Sequence, residues 1–92
     1  MTTERREIEE YEFHERSGSI TGEIVFDVSV EVEGRQTLVS YCEMEGVRIE
    51  GVIIPTDTIT AIFGKAAVAQ AREYAIEHFQ QEIDAGDWAE AA

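Results

Sequence analysis

The stretch ITGEIVFDVSVEVE at residues 20–33 decides the fold of this chain. Its large apolar side chains fall on even-numbered positions, at Ile20, Ile24, Phe26, Val28, Val30 and Val32. Polar side chains fill the odd-numbered positions, at Thr21, Glu23, Asp27, Ser29, Glu31 and Glu33, and only Val25 breaks the pattern. Because successive side chains of a strand point to opposite faces, the stretch predicts a long strand with one buried face.

Two further apolar runs, at residues 37–44 and 47–54, follow the turn-forming segments Gly34-Arg35-Gln36 and Glu45-Gly46 and predict two hairpins. A three-residue first loop would pair Val32 with Leu38, Val28 with Cys42 and Phe26 with Met44. A two-residue second turn would pair Met44 with Val47, Cys42 with Ile49, Leu38 with Ile53 and, on the opposite face, Glu43 with Arg48. This register gathers the apolar side chains on one face, as a buried face requires.

The N-terminal segment admits two interpretations. Its Glu- and Arg-rich start favours a helix, whereas the alternation at Tyr11 and Phe13 favours a strand over residues 9–16. We expect the strand, with a frayed helical turn before it and a turn at Ser17-Gly18. Tyr11 would then face Ile24, and Phe13 would cover the gap left by Gly22.

After Pro55 the apolar period changes to that of a helix. Thr56-Asp57 resembles an N-cap for a short helix over residues 58–63, Gly64 allows a break, and a long helix over residues 65–85 ends at Gly86. The apolar stripe of the long helix consists of Val68, Ala71, Ala75, Phe79 and Ile83. We therefore expect an α+β fold, an antiparallel meander sheet of three to four strands with both helices packed on one face. Residues 1–92 would form a single domain, with mobile ends at residues 1–8 and at 87–92 unless Trp88 docks.

Charge restricts the partners. Seven Lys and Arg residues against 20 Asp and Glu residues give a formal net charge of −13. Such a field repels nucleic acid and anionic membranes and attracts basic proteins. The chain has no apolar run of about 18 residues and no charged-then-apolar leader in residues 1–16, so we expect a cytoplasmic protein, in the host cytoplasm if it is encoded by a phage.

Motifs for catalysis and for cofactors are missing from the sequence. Thiol catalysis would have to use Cys42 with His14 or His78, yet the predicted register places Cys42 in the core, where a free Cys is usually a small hydrophobic residue. Zinc, calcium, phosphate-loop and dinucleotide motifs do not occur. We expect no enzyme activity, no metal and no cofactor. Arg72, beside the apolar stripe, would extend toward solvent or pair with a carboxylate at the edge of the sheet.

The candidate binding surface is the sheet face that the helices leave uncovered. In the predicted register this face combines carboxylates with apolar side chains, among them Val25, Val39, Tyr41, Val52 and Ile54. We expect the partner to contact Glu23, Asp27, Glu31, Glu33, Val39, Tyr41, Glu43 and Glu50. Carboxylates spaced along a strand imitate the phosphate repeat of nucleic acid. The alternative is a solvated face that serves only solubility.

Four classes of function remain. The leading one is an inhibitor or adaptor that binds a basic, nucleic-acid-binding partner and mimics or blocks nucleic acid. In size and charge the chain resembles small acidic phage-encoded inhibitors of host defence, anti-CRISPR proteins among them, and this resemblance is one of type, without a shared motif. The alternatives are a structural or assembly subunit, an enzyme or small-ligand domain, and a protein that is acidic because its organism lives in salt. A monomer or a small homo-oligomer fits the leading class.

Overall fold

The computed structural model describes residues 3–15 and 18–88, apart from the side chain of Glu15. Its elements are β1 (Thr3–Glu15), β2 (Gly18–Glu33), β3 (Gln36–Ile49), β4 (Val52–Pro55), α1 (Thr56–Phe63) and α2 (Lys65–Asp84). The strands form one antiparallel sheet in the order β1-β2-β3-β4, and α2 packs on it. The predicted α+β meander is confirmed, as is the division of the helical segment at Gly64.

The N-terminal segment is a strand from Thr3, so the predicted helical turn is wrong. Tyr11 pairs with Gly22, and Phe13 pairs with Ile20. This register lies two residues from the predicted one, so both rings still face the core. The pairing shifts where Glu9 and Glu10 together oppose Glu23, and the left-handed φ of 54° at Glu10 marks this β-bulge.

Both ends of the chain contain ordered contacts within the described residues. Within the predicted end segment 1–8, residues from Thr3 onward pair with β2, and Ile8 belongs to the core. At the other end Trp88 is buried, with its ring 5.6 Å from the ring of Phe79. Residues 1–2 and 89–92, and the predicted turn residue Ser17, lie outside the described part of the chain.

The predicted turn at Glu45-Gly46 is wrong, because β3 continues through it to Ile49. Glu45 is instead the extra residue of a bulge between the pairs Val25–Gly46 and Phe26–Met44. The turn to β4 is at Glu50-Gly51, where φ is 50° and 82°, the two positive values that a type I′ hairpin turn needs. The predicted pairs of Met44 with Val47, Cys42 with Ile49, Leu38 with Ile53 and Glu43 with Arg48 are therefore also wrong. Val47 pairs with Ile54, and Arg48 pairs with Ile53.

The β2–β3 hairpin keeps two of its three predicted pairs. Val28 faces Cys42 and Phe26 faces Met44, as predicted, but Val32 faces Thr37. The reason is a shorter turn, Gly34-Arg35, and a bulge at Ser40. On the N-terminal side of this bulge, the side chains of β3 lie on the faces opposite to those predicted. Val39 therefore turns toward the helices, and Leu38 turns away from them.

The core lies between the sheet and α2. Ala71 and Ala75 are fully buried on α2, and their small side chains let the helix approach the sheet closely. Phe79 meets Phe26 of β2 edge to face, with ring centroids 5.9 Å apart. The predicted stripe of α2 is thereby confirmed, since Val68 and Ile83 also pack against this core. Within residues 3–15 and 18–88, no helix is both long and apolar enough to cross a bilayer.

Side chains of α2 also cover the edge of β3 that the short β4 leaves unpaired. Arg72 donates from Nε to the Cys42 carbonyl oxygen at 2.8 Å. The predicted alternative of a carboxylate partner is therefore wrong, whereas the residue is exposed, in agreement with the predicted extension toward solvent. Gln80 accepts from the Val39 amide at 3.0 Å and donates to the Thr37 carbonyl oxygen at 2.9 Å. An open strand edge invites pairing with another chain, and these bonds close this one.

Candidate functional site

The face of the sheet turned away from α2, here called the outer face, carries most of the predicted contact residues. Strand alternation places Glu23, Asp27, Glu31, Glu33, Tyr41 and Glu43 on it. Glu50 is exposed in the turn between β3 and β4. The placement of Val39 on this face is wrong, because the bulge at Ser40 turns its side chain inward against the core.

The apolar part of the outer face also differs from the prediction. Ile54 packs against the core, and Val52 shares its side of β4, because the turn lies five residues later than predicted. Ile53 and Leu38 replace them on the outer face, and Ile53 is 39% exposed. Val25 is on the outer face, as predicted, yet it is fully buried.

Two arginines form ion pairs with carboxylates around Val25. Arg5 of β1 binds Glu45 with two hydrogen bonds, of 2.9 and 3.2 Å. Arg48 of β3 binds Glu23 and, at 3.3 Å, Glu7, which is the cross-strand neighbour of Val25. The aliphatic stems of such long side chains cover apolar surface while their charged groups stay in water. The sequence did not reveal this pairing, because it depends on the register of β1.

Asp27 and Glu43, in contrast, place two negative charges side by side, because they are direct cross-strand neighbours on the outer face. Partial burial, then Glu45 and Glu43, raise the pKa of Asp27, although Arg5 opposes this effect. Tyr41 donates its hydroxyl to Glu43, and this hydrogen bond is the main reason that the pKa of Tyr41 is raised. The negative charges of Glu45 and Glu43 therefore add to burial in opposing the ionisation of Asp27.

A depression of about 370 Å³ opens beside this pair, and we call it the acidic depression. Its lining consists of Asp27, Glu43, Met44, Glu45, Pro55, Thr56 and Asp57. Thr56 donates from Oγ1 to the Met44 carbonyl oxygen at 2.7 Å, which fixes the start of α1 against β3. Four carboxylates around one concavity suit a guanidinium or ammonium group, which donates hydrogen bonds in several directions.

Sequence reasoning missed two members of the acidic depression. Glu45 was assigned to a turn and Asp57 to a helix cap, but α1 begins after Pro55 and has no side-chain cap. Glu31 and Glu33 line the distal end of the outer face and take no part in the depression. The sequence showed that these two residues follow Asp27 on the same face of the strand, but not that the depression lies away from them.

The remaining reactive side chains are dispersed. Burial raises the pKa of the Cys42 thiol to about 11, against a smaller opposing effect of Arg72. A thiol with this pKa is protonated at neutral pH and is a poor nucleophile. His14 lies near Glu12 on β1, and His78 lies near Glu82 on α2. In the part of the chain that the structure describes, no three His, Cys, Asp or Glu side chains are grouped so as to hold a metal ion.

Neither the protein-family models, nor the curated proteins, nor the solved structures contain a match to this chain.

Proposed function

We propose that this chain is a small protein–protein interaction module, an inhibitor or adaptor that docks its outer face on a basic partner. The observation that carries the proposal is the cross-strand pair of Asp27 and Glu43, with Glu45 beside it. Like charges directly opposite each other destabilise a sheet. Solubility alone does not require two carboxylates to lie directly opposite each other, and Glu23 on the same face lies opposite Arg48 instead.

The contrast within one sheet supports this interpretation. Glu23 lies directly opposite Arg48, which binds it and offsets part of the negative charge that Glu23 shares with Glu7. At the acidic depression, Asp27 lies opposite Arg5 of β1 as well as Glu43 of β3, but Arg5 binds Glu45 with two of its three guanidinium nitrogens. A Lys or Arg side chain of a partner that entered the depression would relieve the repulsion and receive several charge-assisted hydrogen bonds.

The class of partner follows from the rest of the outer face. Glu31 and Glu33 are two positions apart on one strand, a spacing of about 7 Å, and extend the row of negative charge beyond Asp27. Tyr41, 45% exposed between these groups, is of the residue type enriched in protein interfaces. A row of anions with an aromatic group fits the basic groove of a nucleic-acid-binding protein. Occupying that groove would exclude nucleic acid from it.

Affinity capture from cell lysate with charge variants tests the proposal. The wild-type chain should retain basic, nucleic-acid-binding proteins, and added DNA or RNA should release them. Asp27→Lys and Glu43→Lys should lose them, whereas Glu73→Lys on the solvent side of α2 makes the same charge change and should not. With a purified partner, the two outer-face variants should slow association and weaken its salt dependence. Binding that ignores salt and both outer-face substitutions would refute the proposal.

The second candidate is a structural or assembly subunit, favoured by the open edge of β1, which a segment other than β1 of a second copy could extend. The two candidates differ in their mass in solution. An inhibitor or adaptor stays monomeric or forms a defined small oligomer over a wide concentration range, whereas an assembly subunit grows with concentration. Light scattering coupled to size-exclusion chromatography separates these outcomes.

A further inference from the structure

The free edge of β1 faces a groove on the helix side of the sheet. β1 pairs with β2 along one edge, and among residues 3–15 and 18–88 no strand pairs with the other. The other edge of the sheet is covered, because Arg72 and Gln80 bind the backbone of β3 that β4 leaves unpaired. Among the described residues, the edge of β1 along Tyr11–His14 therefore has no strand partner, and such an edge is the template that β-strand addition uses.

Aromatic and small side chains line this groove. Tyr11 of β1 and Tyr74 of α2 bring their ring centroids to 5.5 Å, and Tyr74 is still 49% exposed. His78 stacks on Tyr74 at 6.0 Å. Two concavities flank the contact, one of about 130 Å³ between β1 and α2 and one of about 190 Å³ along α2. The first is lined by Tyr11, Glu12, Phe13, His14, Ala67 and Gln70, and the second by Tyr74, Glu77, His78 and Gln81.

The charge around the groove is negative. Glu12 on the strand and Glu77 on the helix each line one of the two concavities, and Glu9 and Glu10 are exposed at the bulge. The arginine of α2, Arg72, is turned to the other side of the helix, where it binds β3. A segment with alternating apolar and basic residues complements this surface in both shape and charge.

We propose that the groove between β1 and α2 binds an extended basic segment of a protein partner, which joins the sheet as an added strand beside Tyr11–His14. Apolar side chains of the segment lie inward, against Tyr11, Phe13 and Ala67. Its basic side chains lie outward, beside Glu12. The site is distinct from the acidic depression and does not depend on the function proposed for the outer face.

A second copy of the chain fits this edge poorly. Pairing β1 with β1 of another copy would bring the acidic run at Glu9, Glu10 and Glu12 against the same run of its neighbour. Like charges opposite each other destabilise a strand pair. The bulge at Glu9–Glu10 also interrupts the flat edge that such pairing needs.

The test uses the full chain and an acetylated, amidated peptide of four alternating Val-Lys repeats. Two control peptides accompany it, one with N-methyl groups at alternate backbone nitrogens and one with Glu in place of Lys. Amide hydrogen exchange and chemical-shift mapping report the site. We expect the Val-Lys peptide to slow exchange at edge-facing amides of β1, to perturb Tyr74, and to bind at least about tenfold more tightly than either control.

Variants separate this groove from the outer face. Tyr74→Ala and Glu12→Lys should each weaken peptide binding by about threefold. Glu43→Lys on the outer face should leave the perturbed residues of β1 and Tyr74 unchanged. The proposal is overturned if the N-methylated peptide binds equally well, if the perturbed residues lie on the outer face, or if no peptide binds. Protection of β1 that rises with protein concentration and without peptide would also overturn it, and would make a second copy the occupant.

Discussion

Gln80 of α2 and Val39 of β3 are joined by a hydrogen bond of 3.0 Å from the Val39 amide to Gln80 Oε1. The same side-chain amide donates to the carbonyl oxygen of Thr37 at 2.9 Å. One glutamine thus satisfies a donor and an acceptor of a strand edge, as a neighbouring strand would do. This bond explains why a four-residue β4 suffices, because the helix takes over the edge where β4 ends.

Replacing Gln80 tests this role. Gln80→Ala removes both bonds to β3, and each such bond contributes about 0.5–1.5 kcal/mol. We expect the free energy of unfolding to fall by roughly 1–3 kcal/mol, with faster exchange of the Val39 amide. Urea denaturation and hydrogen exchange measure these effects. Gln81→Ala, on the neighbouring exposed position, is the matched control and should change stability by less than about 0.5 kcal/mol. Equal effects of the two substitutions would contradict the role.

The position of the second turn was not readable from the hydrophobic pattern, for a physical reason. A two-residue turn after Met44 and a one-residue bulge at Glu45 both leave Met44 and Val47 on the same face. The apolar pattern shows only which face of the sheet a side chain occupies, so it is compatible with both the turn and the bulge. What distinguishes them is the backbone, since Glu50-Gly51 takes the two positive φ angles and Gly46 does not. The strands and their order did follow from the alternation of polar and apolar residues, and the helices followed from the helical repeat of apolar residues after Pro55.

Gly46 is required because β4 passes too close for a side chain. A Cβ at this position would overlap the carbonyl oxygen of Ile54 and lie 2.8 Å from Cγ2 of Ile53. We expect Gly46→Ala to lower the free energy of unfolding by about 1–3 kcal/mol, the range for an overpacked site. Thermal unfolding followed by circular dichroism measures the loss. Gly51→Asn is the control, because Asn tolerates positive φ and no atom lies within 4 Å of that position. A milder effect at Gly46 than at Gly51 would contradict the packing argument.

The sequence predicted on which face of the sheet the candidate site lies, but not which of its carboxylates are paired with arginine. Alternation along β2 correctly placed Asp27 and Glu31 on the outer face. Which acids are neutralised depends on cross-strand neighbours, and those follow from bulges that the pattern does not record. Arg5 of β1 reaches across β2 to Glu45 of β3, and the bulge at Ser40 removes Val39 from the face.

The thiol of Cys42 should be inert in the folded protein. It is 2% exposed, and burial raises its pKa to about 11. At pH 8 only about one thiol in a thousand is then ionised, and the thiolate is the reactive form. Ellman's reagent should therefore react slowly in native buffer and rapidly in guanidinium chloride. Ala69→Cys, at an exposed position of α2, supplies a fast native control. Fast native reaction of the wild-type chain would show that Cys42 becomes exposed by local opening.

The crowded carboxylates should make stability depend on pH in mild acid. The pKa of Asp27 is raised in the folded chain, by partial burial and then by Glu45, so the folded state binds its proton more tightly than the unfolded state does. Stability is therefore expected to rise as the pH falls through the raised pKa toward the unfolded value, and to be lower at neutral pH. Asp27→Asn should remove this contribution and stabilise the neutral protein by at most about 1 kcal/mol, the upper range for exposed charge pairs, with a smaller effect in salt. Urea denaturation between pH 4 and pH 8 measures both effects. Glu73→Gln removes one charge from α2, away from the acidic depression, and should leave the slope in mild acid intact. A slope that is unchanged in Asp27→Asn, or equally reduced in Glu73→Gln, would mean that net charge and not the surroundings of Asp27 set the pH dependence.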